Sequence, residues 1–81
     1  MQQTIIRHYG YEHQLEKLIE ELRELEEAIL YKQDSESIKE EMADVLNLIE
    51  QIINYQNWND EVQEIKEYKI ARQIQRIENG L

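Results

Sequence analysis

Two pairs of acids, Glu21 with Glu24 and Glu41 with Asp44, are the residues of this chain best suited to chemistry. Each pair is spaced i, i+3, so on a helix both carboxylates point to the same side. At about 100° per residue, a helix over residues 38–55 has an apolar arc of Ile38, Met42, Val45, Leu46, Leu48, Ile49, Ile52 and Ile53. Glu41 falls inside that arc, between Val45 and Leu48, and Asp44 falls at its edge beside Leu48. A carboxylate on a core-facing stripe is unfavourable unless something pairs with it, and no Lys or Arg lies within the arc. On the preceding helix Gln14, Lys17, Glu21, Glu24 and Ala28 form one strip, in which the small Ala28 leaves room. If that strip faces Glu41 and Asp44 across an antiparallel hairpin, the carboxylates meet and repel, and a divalent cation is the simplest remedy. Oxygen ligands without His or Cys suit Mg²⁺ or Mn²⁺ rather than zinc. Mg²⁺ keeps positions open for water and phosphate oxygens, so the pattern points to phosphate chemistry.

The competing expectation is a solvated charged face, the usual condition of acids on bundle helices. It suits Glu26 and Glu27, and it suits the first acid pair better than the second. A di-iron carboxylate bundle would need Glu-x-x-His on two helices, and neither His8 nor His13 sits in such a motif.

The elements that must position these acids are helices. There is no proline, and the glycines are Gly10 and Gly80. Strand signals are absent and apolar residues recur at helical spacing, which predicts three helices. A short lead-in turn from Thr4 to Tyr9 stops at Gly10. The first long helix runs from about Tyr11 to Lys32, with a seam of Tyr11, Leu15, Leu18, Leu22, Leu25 and Ile29. Gln33-Asp34-Ser35 breaks it. The second helix starts near Ser37, where Ser37-Ile38-Lys39-Glu40 reads as a capping box, and ends around Tyr55. The polar turn Gln56-Asn57-Trp58-Asn59 follows, and Asn59 or Asp60 caps a third helix that stops at Asn79-Gly80. The fold class is all-α: one domain over residues 1–81, an antiparallel helical bundle completed by oligomerisation, because a thin core of this size often needs added burial. The second helix is apolar on both flanks. The third helix is expected to cover one and a partner chain the other.

Composition narrows the function. The chain has 81 residues, 18 acidic against 9 basic, and a net charge of −9. That disfavours polymeric nucleic acid and anionic membrane as partners and suits a protein that binds cations. Cysteine is absent, which excludes disulfides and thiolate metal sites. The first residues have no long apolar core, so no signal peptide is read, and no apolar run approaches the roughly 18 residues of a membrane span. A cytoplasmic location is the expectation.

Glu20-Glu21-Leu22-Arg23-Glu24, then sixteen residues, then Glu41-Met42-Ala43-Asp44 resembles the EExxE…ExxD signature of the MazG-like, all-α nucleoside triphosphate pyrophosphohydrolases. The flanks agree: His8-Tyr9-Gly10-Tyr11-Glu12-His13-Gln14 before the first motif, Val45-Leu46-Asn47 after the second, and a basic last helix with Lys69, Arg72 and Arg76. The resemblance implies Mg²⁺-dependent cleavage between the α and β phosphates of a nucleoside triphosphate, giving the monophosphate and pyrophosphate. It implies Glu21, Glu24, Glu41 and Asp44 as metal ligands and a homodimer or homotetramer with the site near the subunit interface; Glu20 can orient water from behind the ligands or, equally, be a solvated surface glutamate like Glu26 and Glu27.

Other residues are candidates for substrate contact. Lys17, one turn from Glu21, can reach a phosphate or simply form an i, i+4 ion pair. Lys69 and Arg72 can form a cationic rim or a solvated basic face. His13 and Gln14 can line the pocket, and Asn47 can contact sugar or base. Trp58 can stack on a base but better suits a plug at the bundle end. Tyr31, Tyr55 and Tyr68 are expected to pack. Two rivals to an enzyme remain: a non-enzymatic helical assembly or adaptor, and a regulatory family member that binds nucleotide with weak catalysis.

Overall fold

Gly10 has φ 95°, a left-handed value that favours glycine, and it divides the start of the chain into two helices. The computed structural model describes residues 2–80. In chain order α1 is Gln2–Tyr9, α2 is Tyr11–Glu27, a π-helical turn is Ala28–Lys32, α3 is Ser35–Gln56 and α4 is Asn59–Glu78. The all-α class is as expected, with four α-helices among the described residues rather than three. The expected lead-in turn is α1, a complete helix. Its end is tied down by the Gly10 N–H, which donates to the Ile6 carbonyl at 2.8 Å. Ile6 is the most buried large side chain, 1% exposed, and α1 packs on both α2 and α3.

The first long helix does not stay α-helical to Lys32. It widens to π-geometry at Ala28, and the left-handed Gln33 closes the turn by donating its N–H to the Ala28 carbonyl at 2.7 Å. The next helix begins earlier than the expected capping box. Asp34 is its N-cap, and its Oδ2 accepts the Ser37 N–H at 2.9 Å. That bond holds the Asp34 carboxyl below its ordinary value. Ser37 therefore lies inside the first turn, because Asp34 is an equally good cap one turn upstream. At the other end Asn57 is left-handed, and the Trp58 N–H reaches back to the Ile53 carbonyl at 2.9 Å, a Schellman-type closure. Asn59 and Asp60 are not caps. The cap position of α4 is Trp58, and the acids of the first turn are Asp60 and Glu61, which suit the positive end of the helix.

α2 and α3 are the main pair. Gln14 meets Gln51 while Glu21 meets Glu41 and Asp44, so the two helices run antiparallel. The line of α2 that faces α3 is not the leucine seam. It is the strip Gln14, Glu21 and Ala28, which are the buried residues of this stretch. The small Ala28 lets the helices approach there, and this tilts Leu22 and Ile29 toward solvent. On α3 the buried positions are Val45, Leu48, Gln51 and Ile52, so the expected arc is occupied at its centre, while Met42 and Leu46 are exposed.

α4 does not cover a flank of α3 as expected: it carries no buried residue, and Ile65, Ile70, Ile74 and Ile77 are exposed. The radius of gyration is 15.7 Å, against about 12 Å for a compact domain of this length. Both facts reflect a last helix that projects from the other three. Tyr31, Tyr68 and Trp58 are likewise exposed rather than packed. Tyr55 stacks on Tyr11, ring centroids 5.0 Å apart.

Candidate metal centre

Glu21 sits at the middle of the α2 strip and Glu41 and Asp44 one turn apart on α3, so the antiparallel pairing brings them together. One carboxylate oxygen from each lies within 4.8 Å of the other two. Glu21 is buried, 6% exposed. One oxygen of Glu21 and one of Glu41 are fully buried with no hydrogen-bond partner. Buried polar atoms are nearly always paired, so two orphaned carboxylate oxygens on members of one acidic group call for a proton or a cation. Oxygens on opposite sides of an octahedral Mg²⁺ stand about 4.2 Å apart. The group's span, within 4.8 Å, is of that order. The donor set, all oxygen and all anionic when deprotonated, fits Mg²⁺ or Mn²⁺.

The Glu41 carboxyl is pushed above its ordinary value, first by burial, then by the charge of Glu24, by a hydrogen bond with Glu21, and by the charges of Glu21 and Asp44. The sign of its effect on stability follows. The folded chain keeps this proton to a higher pH than the unfolded chain, so stability falls as pH rises from the ordinary glutamate range through the raised value. Metal-free protein should therefore melt at a higher temperature near about pH 5 than near about pH 7, and Glu41→Gln should flatten that dependence. Saturating Mg²⁺ should reverse the slope, since the ligands must lose their protons. Thermal melts in a chelator across this range check it. An identical slope in wild type and Glu41→Gln would contradict it.

Glu24, the expected fourth ligand, is outside the converging group and exposed. It lies one turn beyond Glu21 and off the line that faces α3, near enough to act on Glu41 by charge alone. Glu20 is exposed and lines the adjoining cleft. Lys17 spans Glu21 at 3.4 Å and Glu20 at 3.5 Å, and its ammonium is held above the usual lysine range by that hydrogen bond to Glu21 and by the charges of both glutamates.

The cleft beside the acids has a volume of about 500 Å³, and its walls come from α1, α2 and α3. His13, Gln14, Lys17 and Asn47, all candidates from the sequence, line it. Lys69 and Arg72 do not. They lie on the projecting α4, where the Arg72 guanidinium sits 5.6 Å from the Tyr68 ring centre. Three lining residues escaped the sequence reading: Ile5, Tyr9 and Gln51. Ile5 and Tyr9 belong to the helix mistaken for a turn. Gln51 had a signal, since it is seven residues beyond Asp44 on the same helix face.

Comparison with known proteins brings no relative to the chain: no family model, no curated protein and no solved structure matches it. Among the described residues no helix is long and apolar enough to cross a membrane.

Proposed function

We propose that this protein is a Mg²⁺-dependent nucleoside triphosphate pyrophosphohydrolase, converting a ribo- or deoxyribonucleoside triphosphate and water to the monophosphate and pyrophosphate. The observation that carries the reading is the meeting of Glu21, Glu41 and Asp44, with two orphaned buried oxygens, beside a nucleotide-sized cleft. The resemblance of these acids and their spacing to the MazG-like signature supports the same chemistry. Glu21, Glu41 and Asp44 would hold a divalent cation, which would offset triphosphate charge and make water a better nucleophile at neutral pH.

The chain's own residues do the rest. Glu20, at the cleft wall, accepts a hydrogen bond from the attacking water and orients it at the α-phosphorus. The water oxygen bonds to that phosphorus as the bond to the oxygen bridging to the β-phosphate breaks; pyrophosphate leaves, and the proton the water loses passes to solvent. Lys17 swings from its ion pairs with Glu20 and Glu21 to a phosphate oxygen, and Asn47 offers its amide to the sugar or base. A panel of nucleotides with Mg²⁺, scored for pyrophosphate, tests the reading. Turnover of none of them would leave the nucleotide-binding regulator or the helical assembly in its place.

We further propose that the working form is a homodimer or homotetramer. Exposed Leu22, Ile29 and Leu30 line a shallow apolar groove on one side, and α4 offers Ile65, Ile70, Ile74 and Ile77, each at least half exposed. Apolar surface of this extent marks an association site. Lys69 and Arg72 would then reach a cleft only as residues of a second copy. Light scattering at assay concentration should give at least twice the 9.9 kDa chain mass. An active particle at the chain mass would refute the assembly and leave both cations out of the reaction.

A further inference from the structure

Gln14 and Gln51 are each 4% exposed and both line the cleft. They are joined in a relay. The His13 ring nitrogen Nδ1 lies 2.9 Å from Gln14 Oε1, and Gln14 Nε2 donates to Gln51 Oε1 at 2.8 Å. Both amide oxygens are thus engaged as acceptors. The end of the relay is the Gln51 amino group, which carries two protons to donate. Gln51 lines the cleft, so a ligand there can offer that group an acceptor.

We propose that the relay reads the nucleobase, selecting bases that carry a carbonyl where others carry an amino group. This rests on the nucleotide reading above and names the substrate class within it. Gln51 would donate to the carbonyl of uracil, thymine, hypoxanthine or guanine. Cytosine and adenine would set an amino group against an amino group. Asn47 lies one turn before Gln51 on α3 and lines the same cleft. Its amide both donates and accepts, so its oxygen can take the ring N–H beside that carbonyl. Tyr9 and His13 stack with centroids 5.2 Å apart and an angle of 17° between rings, and this gives the cleft a flat aromatic wall for the base. The spacing agrees with the chemistry. From Glu21 to Gln14, as from Asp44 to Gln51, is seven residues of helix, about 10 Å. That is comparable to the reach from the α-phosphate to the far edge of the base.

Matched nucleotides that differ in this one exchange test it: uridine against cytidine triphosphate, and inosine against adenosine triphosphate. With Mg²⁺, kcat/KM should favour the carbonyl member of each pair by about tenfold or more, the loss of one buried hydrogen bond set against a facing donor. Gln51→Met should bring both ratios toward unity with circular dichroism unchanged. Gln51→Glu, whose outward oxygen only accepts, should invert them. Calorimetric titration with the four corresponding monophosphates reads the same preference without turnover. Turnover with ratios near unity, or ratios that Gln51→Met and Gln51→Glu leave unmoved, would overturn the base reader and leave the hydrolase standing. Preferential binding of the carbonyl monophosphates without pyrophosphate release would support the reader and refute the hydrolase. Equal binding of all four, no binding, or a preference for the amino bases would overturn the reader.

Discussion

Asp44→Asn is expected to lower pyrophosphate release at least about 100-fold, with helical content unchanged. Glu41→Gln is expected to do the same. The asparagine and glutamine amides are near-isosteric with the carboxylates, so packing around Val45 and Leu48 is preserved. What changes is charge. Each substitution removes a third of the anionic donor set that converges between α2 and α3. Removing even a group that merely supports a metal ligand lowers affinity or activity by about 10- to 100-fold, so loss of a ligand sets the larger figure as a floor. Glu24→Gln is the internal control. Glu24 lies outside the group, so its substitution should have a much smaller effect. Circular dichroism and pyrophosphate release on the same samples decide. Wild-type activity in both the Asp44→Asn and Glu41→Gln proteins would remove the site.

Mg²⁺ or Mn²⁺ is expected to raise the melting temperature by roughly 10 °C or more once free metal is about 100-fold above its dissociation constant. Binding to the folded state alone contributes about 2.7 kcal/mol at that concentration, and a domain of this size shifts by about 4–8 °C per kcal/mol. The unfolded chain does not gather Glu21 with Glu41 and Asp44, so its affinity is much lower. Asp44→Asn should lose most of the metal response. It should also melt higher than wild type in a chelator, because one member of a repelling cluster is gone. Metal-insensitive melting, with and without nucleotide, would return the acids to the status of a solvated face.

The acidic centre was legible because it violated a pattern. Glu41 interrupts an apolar arc, and in the structure that arc is the buried line of α3, with Val45 and Leu48 on either side of it. The antiparallel hairpin followed from the break at Gln33 and Asp34. What escaped was set by tertiary contact. The stretch from Gln2 to Tyr9 is too short to hold a helix alone, and it does so because Ile6 is buried against α2 and α3. The leucines of α2 mark a seam by periodicity, yet the helix turns its polar strip inward, with Ala28 buried and Gln14 bonded to Gln51. A lone glutamine on a helix reads as solvated; the spacing of Gln51 from Asp44 puts it on the same face, and its bond to Gln14 shows that it is buried there. For α4, sequence predicts a helix correctly but says nothing of its direction. Its isoleucines find no surface within the described chain.

The most direct test follows the products of one reaction by phosphorus NMR, with a nucleoside triphosphate, Mg²⁺ and the purified protein, and Asp44→Asn alongside. Cleavage between the α and β phosphates predicts monophosphate and pyrophosphate in equal amounts, none with a chelator, and almost none with Asp44→Asn. Diphosphate with orthophosphate, an unchanged rate in the chelator, or no turnover of any nucleotide would contradict it.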